Sequence, residues 1–135
     1  MNNNEVNGLN DSMSFMAFRS VAGVCKVGSY TGNGNADGPY IDLGFKPAFF
    51  LQKKTSGTAD WYIHDSKRNS FNVVDKHLRP STSAIESTFT AMDFLSNGVK
   101  IRTSNGDFNT STGNYIYLAM ADIGGNGTLP PVYGR

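Results

Sequence analysis

The chain has 135 residues, 12 basic and 11 acidic, with a net charge of +1; 39% are hydrophobic and 12% aromatic. That length and apolar content fit one domain with one core and exclude wholesale disorder. Lys and Arg are spread along a nearly neutral chain, which leaves no one-signed field for nucleic acid or an anionic membrane.

The apolar runs are all shorter than the ~20 residues that span a bilayer. The start, Met1-Asn2-Asn3-Asn4-Glu5, has neither a basic nor an apolar leader region, so no signal peptide is expected. Cys25 stands alone, which predicts no internal disulfide and synthesis in a reducing cytoplasm. Glu occurs only at Glu5 and Glu86 while Gly occurs 15 times. Together with many Asn, Ser, Thr and aromatic residues, that bias favours strands and tight turns over helices.

In chain order, residues 1–12 are a polar, Asn-rich arm that buries too little apolar surface to order by itself. Met13 to Phe18 is apolar on both strand faces, and Val21 to Tyr30 reads as a strand interrupted by glycines. Thr31 to Gly38 is a loop. Pro39 to Phe45 is a short strand, and Ala48 to Lys53 and Asp60 to His64 are two more joined by a hairpin at Thr55 to Ala59. Phe71 to Val74 is a short strand after a polar turn. From Asp75 to Ser87 the pattern is weak and accommodates a single helical turn. Thr88 to Leu95 alternates, and Asn97-Gly98 predicts a type I′ hairpin joining Met92–Leu95 to Val99–Arg102. Thr103 to Asn114 is a long polar loop, Asn114 to Ala121 is the most apolar strand, and residues 124–135 form an extended Gly- and Pro-containing tail.

About eight strands at this spacing predict an all-β fold, an antiparallel β-sandwich of jelly-roll type over residues 13–123. One internal echo stands out. Phe15 to Gly23 aligns with Tyr117 to Gly125 at a constant offset, matching aromatic, apolar, Ala, β-branched and Gly positions. The chain thus begins with what reads as a copy of its own last strand, as when a tandem array is cut before a closing strand. That first strand closes either its own sandwich or a neighbour's.

The stretch AGVCKVGSYTGNG (Ala22 to Gly34) resembles the start of a repeated domain in structural proteins of tailed phages, especially marine and cyanobacterial ones. The resemblance continues through LGFKPAFFLQKK, DWYIHDSKR, FLSNGVKIRTS and NYIYLAMAD, and covers residues 22 to 123. In that family the domain recurs in tandem or follows lectin-like sandwiches in fibre-like proteins. The resemblance implies a virion structural protein and names no ligand.

Catalytic signatures are weak. Gly28-Ser29-Tyr30-Thr31-Gly32 puts Tyr where a nucleophile elbow needs Ser. His64 reads as a sheet-surface histidine bonded to Asp65. With two glutamates, one of them in the polar arm, a carboxylate pair for glycoside hydrolysis would need Asp residues, and no pattern singles any out. Asn33, Asn35 and Asp37, and again Asn105, Asp107 and Asn109, alternate as oxygen ligands for calcium do, without the bidentate Glu or dense charge of such sites. Gly32-Asn33-Gly34 precedes no helix that would complete a phosphate cradle. Lys53-Lys54 and Lys67-Arg68 read as solvated turns. No cofactor, metal or catalytic residue is expected, and the chain is read as a non-enzyme.

Binding is better supported. A sandwich strand normally turns one polar face to water, and Asn114 to Ala121 and Ser14 to Phe18 have none. The N-terminal strand, the tail or a neighbouring subunit is expected to cover the second face. The expected function is a capsid decoration or cement protein, made in the host cytoplasm and located in the virion. Its expected partners are copies of itself, as a trimer, and the major capsid protein or other virion proteins. Phe15, Met16, Phe18, Leu129, Pro130, Pro131, Val132 and Tyr133 are the candidate assembly residues. The rival reading is a tail-fibre or receptor-binding module for a host glycan, with Tyr30, Asn33, Tyr40, Trp61 and Tyr62 as contacts.

Overall fold

A computed structural model of the chain describes residue 12 and residues 14–123. The expected arm, the expected tail and the candidates Leu129, Pro130, Pro131, Val132 and Tyr133 therefore lie outside the described residues, apart from Ser12. The described strands are β1 (Cys25–Thr31), β2 (Tyr40–Asp42), β3 (Pro47–Lys54), β4 (Trp61–Asp65), β5 (Val74–His77), β6 (Ser87–Leu95), β7 (Gly98–Ile101) and β8 (Asn114–Ala121), with one helical turn, α1 (Gly106–Asn109). They make two antiparallel sheets, β1-β8-β3-β4 and β2-β7-β6-β5, which form a β-sandwich.

Alternation decides what lies between the sheets. From the first sheet, Phe50, Tyr62, Tyr115, Tyr117, Ala119 and Ala121 point inward. From the second come Ile41, Val74, Met92, Phe94, Val99 and Ile101, and these residues join one buried cluster. Tyr30 stacks on Tyr115 with ring centroids 4.7 Å apart. Phe108, carried by α1, packs against Tyr62 at 4.6 Å and closes one end of the core.

The strand Asn114 to Ala121 forms as expected, and so does the hairpin between β3 and β4. Other expectations are corrected. Residues 14–20 form no strand, and Val21 to Cys25 is a tight turn held by Cys25 N–H to Val21 O (3.0 Å), with Gly23 at φ 71°. The glycine there makes a reversal, so β1 starts only at Cys25. Phe71 to Val73 precede β5, which runs Val74–His77 inside the weakly patterned stretch. Its Asp75 and Lys76 masked the strand, whose identity comes from pairing with β6. The expected loop 103–114 contains α1, started by Asn105 Oδ1 accepting from Asp107 N–H at 2.8 Å.

The β6–β7 hairpin forms, but its turn residues are Ser96 and Asn97, with Leu95 paired to Gly98. Neither has the positive φ that a type I′ turn needs. Gly98 is required for another reason, because a Cβ there would sit 2.2 Å from the Ile41 carbonyl oxygen on β2. The glycine lets two strands approach rather than shaping the turn.

A polar knot ties the long loops together. Asn109 is fully buried, and its Nδ2 donates to Asn33 Oδ1 (2.9 Å), Asn35 O (2.7 Å) and Thr103 O (2.8 Å). Its Oδ1 accepts from Asn33 N–H at 2.7 Å. Removing such a group strands several polar atoms at once. Asn109→Ala is expected to lower unfolding free energy by about 3 kcal/mol, measured by urea titration. Thr112, a β-branched residue at φ 60°, is under strain. Thr112→Gly is expected to gain about 1 kcal/mol in the same assay; a loss would refute the strain.

Candidate functional site

The two outer faces of the sandwich differ in kind. On the second sheet the outward positions Tyr40, Lys100 and Asp93 lie side by side across β2, β7 and β6. Arg102 pairs with Asp93 at 3.3 Å and Lys100 with Asp37 at 2.8 Å, so this face is polar.

The first sheet presents Val27 on β1, Ile116, Leu118 and Met120 on β8, Phe49 and Leu51 on β3, and Trp61 and Ile63 on β4, together with Lys53, whose ammonium donates to the Ala59 carbonyl at 2.7 Å, and Asp65, which pairs with Arg68. These side chains alternate with the core set, so they point away from the second sheet. Ile116 remains 41% exposed and Met120 39%, at the centre of the sheet rather than its rim. The inward set on the same strands includes Gln52 and His64, so the outer face is the more aliphatic of the two.

The N-terminal segment partly covers this face. After the Val21–Cys25 reversal it runs back beside β1, the edge strand, where Ser20 Oγ accepts from Val27 N–H at 3.1 Å. Met16 and Phe18 then overhang the sheet. Together with Val27, Leu51, Trp61 and Ile116 they enclose a concavity of about 450 Å³. It adjoins a second, of about 390 Å³, between Leu51, Trp61, Pro80 and Ser81. The result is an apolar trough that crosses all four strands of the sheet. Phe15 (90% exposed) and Met16 (85%) still face solvent.

Phe15, Met16 and Phe18, predicted from sequence for assembly, thus lie over and beside the trough, as an irregular segment and not as the expected strand. The five glycan candidates are not brought together. Tyr30 is buried, donating its hydroxyl to Gln52 Oε1 (2.6 Å) and Phe108 O (2.8 Å). Tyr62 is buried too, donating to Asp107 Oδ2 at 2.6 Å. Neither ring face is open to a sugar. Tyr40 is on the second sheet, Asn33 in a loop, and Trp61 in the trough. Sequence reasoning missed Val27, Leu51, Leu118 and Pro80. The available signal was that Phe49-Phe50-Leu51 and Trp61-Tyr62-Ile63 are apolar in both parities, as Asn114 to Ala121 is.

The Asn/Asp loops are occupied internally. Asn33 Oδ1 accepts from Asn35 N–H (2.9 Å), Asn35 Oδ1 from Asp37 N–H (2.9 Å), and the Lys100 ammonium holds the Asp37 carboxyl below its ordinary pKa. In the other loop Asn105 caps α1 and Asp107 takes the Tyr62 hydroxyl. Among the described residues no three His, Cys, Asp or Glu side chains gather as metal ligands.

Fold and surface define a class: an antiparallel β-sandwich whose two outer faces differ, one polar and one largely apolar. Residues 1–123 match the family described as a domain of unknown function (DUF7483), and the chain belongs to that family. No curated protein and no solved structure matches it.

The histidine expected on the sheet surface is instead fully buried. His64 points inward from β4, and both of its ring nitrogens lack hydrogen-bond partners. Asp65 faces the other way and accepts from Arg68 Nε at 2.6 Å. Parity explains the error: Trp61 and Ile63 occupy the outer face, which forces His64 inward. Burial, with smaller contributions from His77 and Arg68, pushes the His64 pKa from 6.5 down to about 3. Its neighbour His77, also lowered chiefly by burial, shares a 2.8 Å contact between Nε2 and Ser87 Oγ, directly across from it on β6. No carboxylate backs this imidazole: its Nδ1 faces the Asp75 carbonyl at 3.4 Å, while the Asp75 side chain accepts from Asn69. The contact reads as a cross-strand bond.

A His pKa lower in the folded than in the unfolded chain means that protons select the unfolded chain. Its stabilisation is whole above pH 6.5 and is lost as pH falls toward 3. Wild-type stability is expected to drop by about 1.4 kcal/mol per pH unit for this residue alone across that window. His64→Leu is expected to remove that slope in urea titrations at pH 7, 6, 5 and 4. Parallel slopes for the two proteins would contradict the assignment.

Proposed function

We propose that this protein is a non-enzymatic structural module that assembles with copies of itself through the outer face of the first sheet. One observation carries the reading: the centre of that sheet exposes Ile116 and Met120 among Phe49, Leu51, Trp61 and Ile63, while the opposite outer face is charged. Leaving such a patch in water costs about 25 cal/mol for each Å² of apolar surface, which association recovers. The resemblance to repeated domains of tailed-phage structural proteins is what supports reading the assembly as a virion component. A capsid decoration or cement protein, trimeric and seated on the major capsid protein, is the form we favour. The glycan-binding alternative draws no comparable support, since its candidate residues do not converge.

We further read the sandwich as a jelly-roll relative. The pairings β1-β8-β3 and β2-β7, which bring the two chain halves together, favour this. The β3–β4 hairpin and the β5-β6-β7 meander are local departures from it.

The test is oligomeric state. The purified chain is expected to sediment as a closed oligomer. Ile116→Lys with Met120→Lys should give a monomer with unchanged far-ultraviolet circular dichroism, whereas Tyr40→Ser on the opposite face should leave the oligomer intact. A wild-type monomer at all concentrations up to ~100 μM, where even weak specific interfaces associate, would sink the proposal. Binding of the oligomer to empty capsids, and not to host cells or polysaccharide, distinguishes cement from fibre.

A further inference from the structure

We propose that the trough on the first sheet is the receptor for the segment Leu129-Pro130-Pro131-Val132-Tyr133 of a neighbouring copy. This inference rests on the assembly reading above and names what fills its interface.

Hydrogen bonding favours a proline-containing occupant. The trough lies on the face of a sheet, where strand backbone groups are already paired in ladders. A β-strand laid across it would bury N–H groups without partners, at a cost comparable to lost hydrogen bonds. A Pro-Pro segment has two fewer N–H groups and is biased to polyproline II, an extended form with no internal hydrogen bonds to break. Aromatic-lined grooves take such segments because little ordering entropy is lost. Here the walls are Trp61, Phe18 and Met16, with Pro80 at the far end.

The lengths of trough and segment also match. The trough crosses four strands, or three gaps of ~4.8 Å, about 14 Å in all. Five residues in polyproline II at ~3.1 Å each extend about 15 Å. Leu129, Val132 and Tyr133 then supply the apolar side chains that meet Leu51, Ile116 and Leu118.

Reach along the chain separates its own trough from a neighbour's. Past β8 the chain is described to Ile123, about six residues beyond the Tyr117 level of the trough, or ~20 Å along the strand direction. Six residues from Ile123 to Leu129 reach at most ~21 Å when fully extended. The chain would have to reverse direction and climb onto the outer face with no slack. The three glycines at 124, 125 and 127 suit a crossing to another molecule. A segment-in-trough contact is heterologous, since donor and receptor are different surfaces, and such contacts close into rings when the rotation permits. Three copies passing the segment in one direction give a trimer, and two copies exchanging it reciprocally give a two-fold dimer.

Trp61 is the sole tryptophan and sits in the trough, so its fluorescence reports occupancy directly. Removing residues 124–135 is expected to give a folded monomer whose Trp61 emission shifts to the red. A synthetic peptide GGNGTLPPVYGR should shift it back saturably without restoring the oligomer, and a peptide with both prolines changed to Asp should not. Mixing this tail-less chain with a tail-bearing Ile116→Lys chain, neither of which forms a ring, should yield a 1:1 pair. If the truncated chain remains oligomeric with unchanged Trp61 emission, the segment is not the occupant, although assembly through the face survives. If the intact chain is monomeric but truncation still reddens Trp61, the tail folds back on its own trough, and both the exchange and the assembly reading fail.

Discussion

The organising constraint of this molecule is that β8, apolar on both faces, requires cover on each to leave no apolar surface in water. It runs Asn114–Ala121 between β1 and β3, so both of its edges are hydrogen-bonded. Tyr115, Tyr117, Ala119 and Ala121 bury one face against the second sheet, and Ile116, Leu118 and Met120 make the other apolar as well. The sandwich satisfies the first requirement internally. For the second, the described residues supply a partial cover, the Met16 and Phe18 overhang folded back by the turn at Gly23.

The inner side shows what this arrangement costs. With the large aliphatic residues of β3 and β4 directed outward, Gln52 and His64 fall into the core. Gln52 is matched there, taking the Tyr30 hydroxyl and donating to the Asp107 carbonyl at 3.3 Å. His64 is not matched, and an unpaired imidazole persists against Phe108 and His77. A fold selected for stability alone would exchange an apolar outer residue for this buried one. The inverted preference is intelligible if the outer face is itself an interior, the interior of an assembly.

The loops at one end behave differently from the sheet. Asn33, Asn35, Asp37, Asn105 and Asp107 resemble an ion site in composition, yet their side-chain oxygens engage turns, a helix cap, the bonds to Asn109 and Tyr62, and the Asp37 ion pair with Lys100. Their role is to hold the β1–β2 loop onto α1, and α1 in turn drives Phe108 between the sheets. This end is a clasp.

The sequence by itself determined the strand character of nearly every ladder, the doubly apolar nature of Asn114 to Ala121, and the prospect that something must cover its second face. Those features are local, resting on alternation and residue type. It did not determine which parity of β3 and β4 faces inward, because Phe49-Phe50-Leu51 and Trp61-Tyr62-Ile63 are apolar in both. The tertiary structure decided that, by placing β8 between β1 and β3 and so fixing which side meets the second sheet. It likewise decided that Gly98 serves a close approach to Ile41, that β5 exists despite a polar sequence, and that residues 14–20 cross an edge instead of joining a ladder. Each of these depends on a partner distant in the chain, and alternation along one strand carries no record of what lies across from it.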